Sequence, residues 1–155
     1  MIVVDTSAIV GAHHAHYLPD SIKGFWDFFE QAWERGDLIV PRAVELELAD
    51  QSDEAHRWIK DRNALIVETD ADVQRRAGQL VEQFSFRPGA DEADPFVIAE
   101  AEKRGFAVAT YEGRGPTGNV ARSKANVDNI PKICAALHVT CLQPGEAWRH
   151  AGLRL

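Results

Sequence analysis

The sequence has little cysteine, no long apolar run and a shortage of positive charge. Only Cys134 and Cys141 occur in 155 residues, which is too few for the disulfide framework of a small secreted protein. No apolar run approaches the roughly 20 residues that a membrane helix needs. The N-terminal segment MIVVDTSAIV lacks the basic start of a signal peptide and carries Asp5 inside its apolar run. We therefore expect a cytoplasmic protein with no membrane segment.

Positive charge is scarce overall but concentrated in one segment. The net charge is −7, which disfavours a protein that binds nucleic acid over its whole surface. Residues 113–132 nevertheless carry +3, so the rest of the chain carries −10. The basic side chains at Arg114, Arg122 and Lys124 are candidates for binding an RNA backbone. A solvated loop with no partner is the competing interpretation of the same segment.

The chain has the length and composition of one ordinary globular domain. Hydrophobic residues make up 45% of it and charged residues 26%. Short apolar runs alternate with amphipathic stretches along the chain, and we expect strands at 2–4, 38–40, 64–67, 106–110 and 139–142 with helices between them. This alternation predicts a single domain over residues 1–155 with an α/β fold, in which a central parallel sheet lies between helices in three layers, α/β/α.

Four acidic residues stand at or beyond the predicted carboxyl ends of strands, where parallel sheets bind ligands. They are Asp5, Glu47, Asp94 and Glu112. If the fold gathers them, their mutual repulsion favours a shared divalent cation, and an all-carboxylate set favours Mg²⁺ or Mn²⁺ over Zn²⁺. The spacing is also compatible with plain structural roles, since Asp94 followed by Pro95 has the pattern of a helix N-cap and first helical residue.

Two of these positions have neighbours that could serve instead. Glu45 lies two residues before Glu47 and on a different face of the predicted helix, so only one of them can point into a given cleft. Asp91 lies three residues before Asp94 and could replace or assist it.

Two further groups of side chains are better explained without a ligand. The histidines His13, His14 and His16 have no matched fourth ligand, so we do not expect a zinc site. The aromatic residues Trp26, Phe29 and Trp33 recur at the spacing of one helix face, which predicts a core or dimer stripe rather than a platform for stacking bases.

Four segments of the chain together resemble PIN-domain proteins. They are VVDTSAI at 3–9, FWDFFEQAWERGDLIVPRAVELEL at 25–48, ADPFVIAEAEKRGFAVATYE at 93–112 and NIPKICAALHVTCL at 129–142. The resemblance spans nearly the whole chain and is closest to a subfamily of largely uncharacterised bacterial and archaeal PIN proteins. That subfamily is allied to the VapC-like ribonuclease toxins of type II toxin-antitoxin modules.

The resemblance implies an α/β/α fold and an endoribonuclease that hydrolyses RNA phosphodiester bonds with Mg²⁺ or Mn²⁺. Carried over by position, the metal-binding and catalytic acids are Asp5, Glu47, Asp94 and Glu112, and Thr6 resembles the hydroxyl residue near the metal. The resemblance favours Glu47 over Glu45, because Glu47 with Leu48 occupies the position of the family's helix glutamate and the leucine that follows it. Many PIN toxins have an aspartate where this chain has Glu112. The implied partners are an antitoxin protein and a second copy of the chain. The alternative is a non-catalytic PIN-fold module that binds RNA or protein.

Overall fold

The computed structural model describes residues 1–13, 23–113 and 127–153. The strands in these ranges are β1 (Ile2–Val4), β2 (Leu38–Pro41), β3 (Ile66–Val67), β4 (Ala107–Ala109) and β5 (Cys141–Leu142). The helices are α1 (Thr6–Gly11), α2 (Lys23–Glu34), α3 (Arg42–Gln51), α4 (Asp53–Asp61), α5 (Ala71–Gln83), α6 (Asp94–Arg104), α7 (Ile130–Ala136) and α8 (Pro144–His150).

The five strands of the described residues form one parallel sheet in the order β3-β2-β1-β4-β5. β1 lies in the middle, pairing Val3 with Ile39 on one side and with Val108 on the other. Because the strands are all parallel, their carboxyl ends lie at one edge of the sheet, and a helix begins there after β1, β2 and β3. This arrangement confirms the predicted three-layer α/β/α fold.

The helix boundaries follow local capping signals in the sequence. Asp5, Ser52, Asp70 and Asn129 each accept a hydrogen bond from a backbone N–H of the helix that follows, at α1, α4, α5 and α7. α6 ends at Gly105, whose φ of 66° is the left-handed conformation that glycine adopts without strain. These signals were visible in the sequence, and the observed bounds lie within a few residues of the predicted ones.

The expected cap at Asp94 is wrong. Ala93 is the N-cap of α6, and Asp94 is already the first residue of the helix. The Asp94 carboxyl is therefore not used to close the helix end, although Pro95 stands in the first turn as expected.

The predicted aromatic stripe of α2 is part of the core. Trp26, Phe29 and Trp33 are each 2% exposed and pack against Trp58 of α4. Phe29 also contacts Trp148 of α8, with ring centroids 4.9 Å apart. Burial of these large rings fixes α2, α4 and α8 on the sheet, since aromatic side chains contribute most of the buried area in such a cluster.

Some predictions concern residues outside the described ranges. These are the substrate-binding candidates Arg114, Arg122 and Lys124 and the histidines His14 and His16. Among the described residues, no helix has the length and apolar character to cross a membrane.

Candidate metal centre

Three carboxylates from two separate parts of the chain meet beside the end of β4. Oxygen atoms of Asp91, Asp94 and Glu112 all lie within 4.8 Å of one another. Asp91 precedes α6, Asp94 begins it, and Glu112 follows β4. Asp91 and Asp94 are buried, and Glu112 is partly exposed. The group therefore lies at the carboxyl edge of the sheet, where the sequence predicted a ligand site.

Asp5, at the end of the central strand, is not one of these three carboxylates, but its charge acts on Asp94 and Glu112. It directly follows β1 and is 2% exposed. Its Oδ2 accepts hydrogen bonds from the hydroxyl of Ser7 at 2.6 Å and from the hydroxyl of Thr110 at 2.9 Å. These bonds join the end of β1 to the end of β4. Burial nevertheless outweighs them and raises the pKa of Asp5.

Asp94 combines deep burial with a carboxylate oxygen that lacks a hydrogen-bond partner in the described part of the chain. It is 6% exposed, and its buried Oδ2 has no hydrogen-bond partner among the described residues. Burial, followed by the charges of Asp5, Glu112, Asp91 and Glu47, raises the pKa of Asp94 to about 9. The side chain is thus held protonated at neutral pH unless a cation replaces the proton.

Glu112 is anchored by backbone on both sides. Its Oε2 accepts a hydrogen bond of 3.0 Å from the backbone N–H of Ile130, at the start of α7. Its own N–H donates to the Thr110 hydroxyl, also at 3.0 Å. Burial, together with the charges of Asp5 and Asp91, raises the pKa of Glu112 despite the bond from Ile130. The longer glutamate side chain thus reaches the same group as the aspartates.

Glu47 approaches the group from α3, and Thr6 connects it to α1. The Thr6 hydroxyl donates a hydrogen bond to Glu47 Oε2. Burial raises the pKa of Glu47, and the charges of Asp5 and Asp91 add to the shift. Glu47 is not one of the three carboxylates whose oxygens lie within 4.8 Å of one another, but its charge interacts with Asp5 and Asp91.

Glu45 points elsewhere, as the helical geometry of α3 requires. Its carboxylate accepts hydrogen bonds from Arg42 at 2.8 Å and from the ring of His56 at 2.7 Å, with Lys60 at 3.5 Å. Although burial opposes it, this set of partners lowers the pKa of Glu45 to about 2. Glu45 therefore joins α3 to α4, whereas Glu47 faces the acidic group.

The chemistry of the acidic group suits a hard divalent cation. The donors are all carboxylate oxygens, the ligand type that Mg²⁺, Mn²⁺ and Ca²⁺ prefer. One buried oxygen of Asp94 has no hydrogen-bond partner among the residues that the structure describes, and the pKa values of Asp94 and Glu112 are raised. Both observations show that the ionised carboxylates are unfavourable here without a positive charge. A bound cation would satisfy both conditions, so the residues present fit a metal ion.

Comparison with known proteins assigns the chain to a family. Residues 2–155 match the model of a family described as "Domain of unknown function (DUF4411)". The chain belongs to the DUF4411 family. No curated protein matches it. Among solved structures, one chain of "Toxin-antitoxin complex from Klebsiella pneumoniae" is similar, with a TM-score of 0.48 and 13% identity. The similarity covers 84% of the DUF4411 chain and 98% of the other chain.

One charged side chain of this DUF4411 chain contacts the site without a clear signal in the sequence. Arg87 donates to both carboxylate oxygens of Asp91 through Nε and to Oδ1 through Nη2 at 2.6 Å. In the sequence, Arg87 with Pro88 and Gly89 has only the pattern of a turn. The only sign of the contact in the sequence is the i, i+4 spacing of Arg87 and Asp91 around that turn. The resulting ion pair gives Asp91 a positively charged partner.

Proposed function

We propose that this protein is a metal-dependent endoribonuclease of the PIN type that hydrolyses RNA phosphodiester bonds. The observation that carries the proposal is the buried Asp94 oxygen without a partner, surrounded by other carboxylates. A buried polar atom of this kind needs a partner, and a divalent cation would also relieve the repulsion between the carboxylates. The resemblance of four sequence segments to PIN domains agrees with this interpretation.

In this proposal Asp5, Asp94 and Glu112 hold one or two Mg²⁺ or Mn²⁺ ions. A bound ion would polarise the scissile phosphate and lower the pKa of the attacking water. The chain positions its own ligands by fixed contacts, since Ser7 and Thr110 hold Asp5 and the Ile130 N–H holds Glu112. Such preorganisation reduces the rearrangement needed during the reaction.

Glu47 and Thr6 complete the proposed site. Thr6 holds Glu47 at the edge of the carboxylate group. From there Glu47 either supplies a further ligand or orients the attacking water. Burial and the neighbouring carboxylates raise the pKa of Glu47, so a cation bound nearby would favour its ionised form. The basic residues Arg114, Arg122 and Lys124 would bind the RNA backbone.

We further propose that the protein acts as the toxin of a type II toxin-antitoxin pair. The cognate antitoxin would block the acidic site, and the chain would form a homodimer. These statements rest on the PIN resemblance. Coexpression of the chain with the product of a neighbouring open reading frame tests them, because the pair should copurify and the cleavage of RNA should be inhibited.

The direct test of the nuclease is cleavage of a panel of tRNA, rRNA and mRNA with Mg²⁺, with Mn²⁺ and with EDTA. We expect cleavage only with a divalent ion and its loss in Asp5→Asn and in Asp94→Asn. Asp61→Asn is a matched control, since Asp61 is an exposed residue at the end of α4. It should cleave at the wild-type rate.

Cleavage in EDTA, or equal cleavage by Asp5→Asn, Asp94→Asn and the wild-type protein, would refute the proposed chemistry. RNA binding without cleavage under every condition would instead support the non-catalytic PIN-fold module.

A further inference from the structure

We propose that Arg87 is a phosphate-binding residue of the acidic site and contacts the RNA backbone there. The inference rests on the proposed ribonuclease function and adds a residue to it. Its starting point is an asymmetry in the ion pair between Arg87 and Asp91. The Asp91 side chain is 4% exposed, whereas the Arg87 side chain is 52% exposed.

The pairing with Asp91 uses only part of the guanidinium. Arg87 binds Asp91 through Nε and through Nη2, and its backbone N–H donates to Asp91 Oδ2 at 2.8 Å. Within the described residues no hydrogen bond involves Nη1. A guanidinium has five N–H groups, so Nη1 and the second N–H of Nη2 form an unused edge. This edge has the fork geometry that binds phosphate.

The position of Arg87 places that positive charge beside the proposed metal ligands. Its guanidinium interacts electrostatically with Glu112 and Asp94 as well as with Asp91. A phosphate group drawn to a cation held by those carboxylates would therefore have Arg87 as a neighbour. The surrounding chain is acidic, with a net charge of −7, so a fixed positive charge at this point opposes repulsion of RNA.

The orientation of Arg87 is fixed by its turn and by Asp91. The backbone N–H groups of Ala90 and Asp91 both donate to the Arg87 carbonyl, and Gly89 has a φ of 75° within this turn. The turn brings Asp91 back onto the Arg87 side chain. Because the guanidinium is held before any ligand binds, less side-chain entropy is lost when a phosphate binds.

The test measures RNA binding with Ca²⁺ in place of Mn²⁺, so that a fluorescein-labelled RNA hairpin is bound under conditions that slow cleavage. We expect Arg87→Gln to weaken binding about tenfold, the effect of losing a charge-assisted bidentate contact. The slope of log affinity against log salt concentration should also become shallower, by roughly the amount that one phosphate contact contributes. Arg87→Lys keeps the charge without the fork and should give an intermediate loss.

Arg104→Gln is the matched control. Arg104 also pairs with a buried carboxylate four residues away, Glu100, whose side chain is 2% exposed. This pair lies at the far end of α6 from Asp94. The substitution makes the same charge change, and we expect RNA binding at the wild-type level.

Stabilisation by Mn²⁺, measured as the rise in melting temperature, separates phosphate binding from a purely structural role. Arg87→Gln should retain this rise while losing RNA affinity. Loss of the Mn²⁺ effect with RNA affinity unchanged would show that Arg87 only holds Asp91, and would overturn the inference. An equal loss of RNA binding in Arg104→Gln would also overturn it.

The two proposals fail in different ways. If the wild-type protein cleaves RNA and Arg87→Gln cleaves and binds RNA as well as the wild-type protein does, only the role of Arg87 is refuted. Wild-type protein that binds RNA through Arg87 but never cleaves it would refute only the nuclease. Protein that neither binds nor cleaves RNA would refute both.

Discussion

Asp94 makes the metal-free protein less stable as the pH rises. Its pKa in the folded protein is about 9, whereas the usual value for aspartate is 3.8. Between these values the unfolded chain loses the Asp94 proton and the folded chain retains it. The free energy of unfolding therefore decreases with pH, by about 1.4 kcal/mol per pH unit for one retained proton. This contribution is fully present below the usual aspartate pKa and is lost progressively up to about pH 9.

Thermal unfolding in EDTA at about pH 5.5 and pH 7.5 measures this effect. Over two pH units the loss due to Asp94 is about 3 kcal/mol. For a chain of this size that corresponds to a fall of roughly 6 to 12 °C in melting temperature. The histidines also titrate in this range, so the informative quantity is the difference between the wild-type protein and Asp94→Asn. The variant lacks the titrating group and should lose that part of the pH dependence.

Mn²⁺ should reverse the effect in the wild-type protein but should not stabilise Asp94→Asn. A cation takes the place of the proton, so its stabilisation should be larger at pH 7.5 than at pH 5.5. At a concentration one hundred times Kd, the expected gain is about 2.7 kcal/mol. Asp61→Asn should behave like the wild-type protein. The reasoning is refuted if Asp94→Asn and the wild-type protein show the same pH dependence in EDTA.

Two pairs of substitutions extend these expectations. Glu47→Gln should lower RNA cleavage at least tenfold with little loss of stability, whereas Glu45→Gln should cost about 1 to 3 kcal/mol through its lost ionic contacts and spare cleavage by folded protein. Equal cleavage by the two variants, measured with unfolding curves, would contradict this assignment. A Cβ added at Gly11 would overlap the Tyr111 ring, next to Glu112 in the chain, so we expect Gly11→Ala to lose about 1 to 3 kcal/mol of stability and to bind Mn²⁺ more weakly by calorimetry. Gly78 is an exposed helical residue, and a Cβ added there would have no described atom outside its own stretch of helix within 4 Å. Gly78→Ala should instead stabilise the protein by roughly 0.5 to 1 kcal/mol. Unchanged stability and Mn²⁺ binding in Gly11→Ala would contradict this expectation.

Much of the fold was predictable because the chain carries strong local signals. Short apolar runs followed by helix caps, as at Asp5 and Asp70, indicate strands that lead into helices. The carboxyl ends of parallel strands share one edge, so Asp5 and Glu112 were expected near each other. The direction of side chains on a helix shows only that Glu45 and Glu47 cannot share one cleft, and the choice of Glu47 rests on the PIN resemblance.

The detailed contacts at the site could not be predicted in the same way. Asp94 looked like a helix cap, because a cap and the first helical residue differ by one position and share the same sequence preferences. The pairing of Arg87 with Asp91 depends on the path of a turn rather than on a periodic pattern. The hydrogen bond from Ile130 to Glu112 joins residues 18 apart, and spacing does not encode such a contact.

Anomalous diffraction from crystals grown with Mn²⁺ tests the central claim most directly. The account predicts a Mn²⁺ peak coordinated by Asp5, Asp94 and Glu112, absent from crystals of Asp94→Asn grown in the same solution. A wild-type protein with no peak at these carboxylates, or with its Mn²⁺ bound elsewhere, would contradict the account.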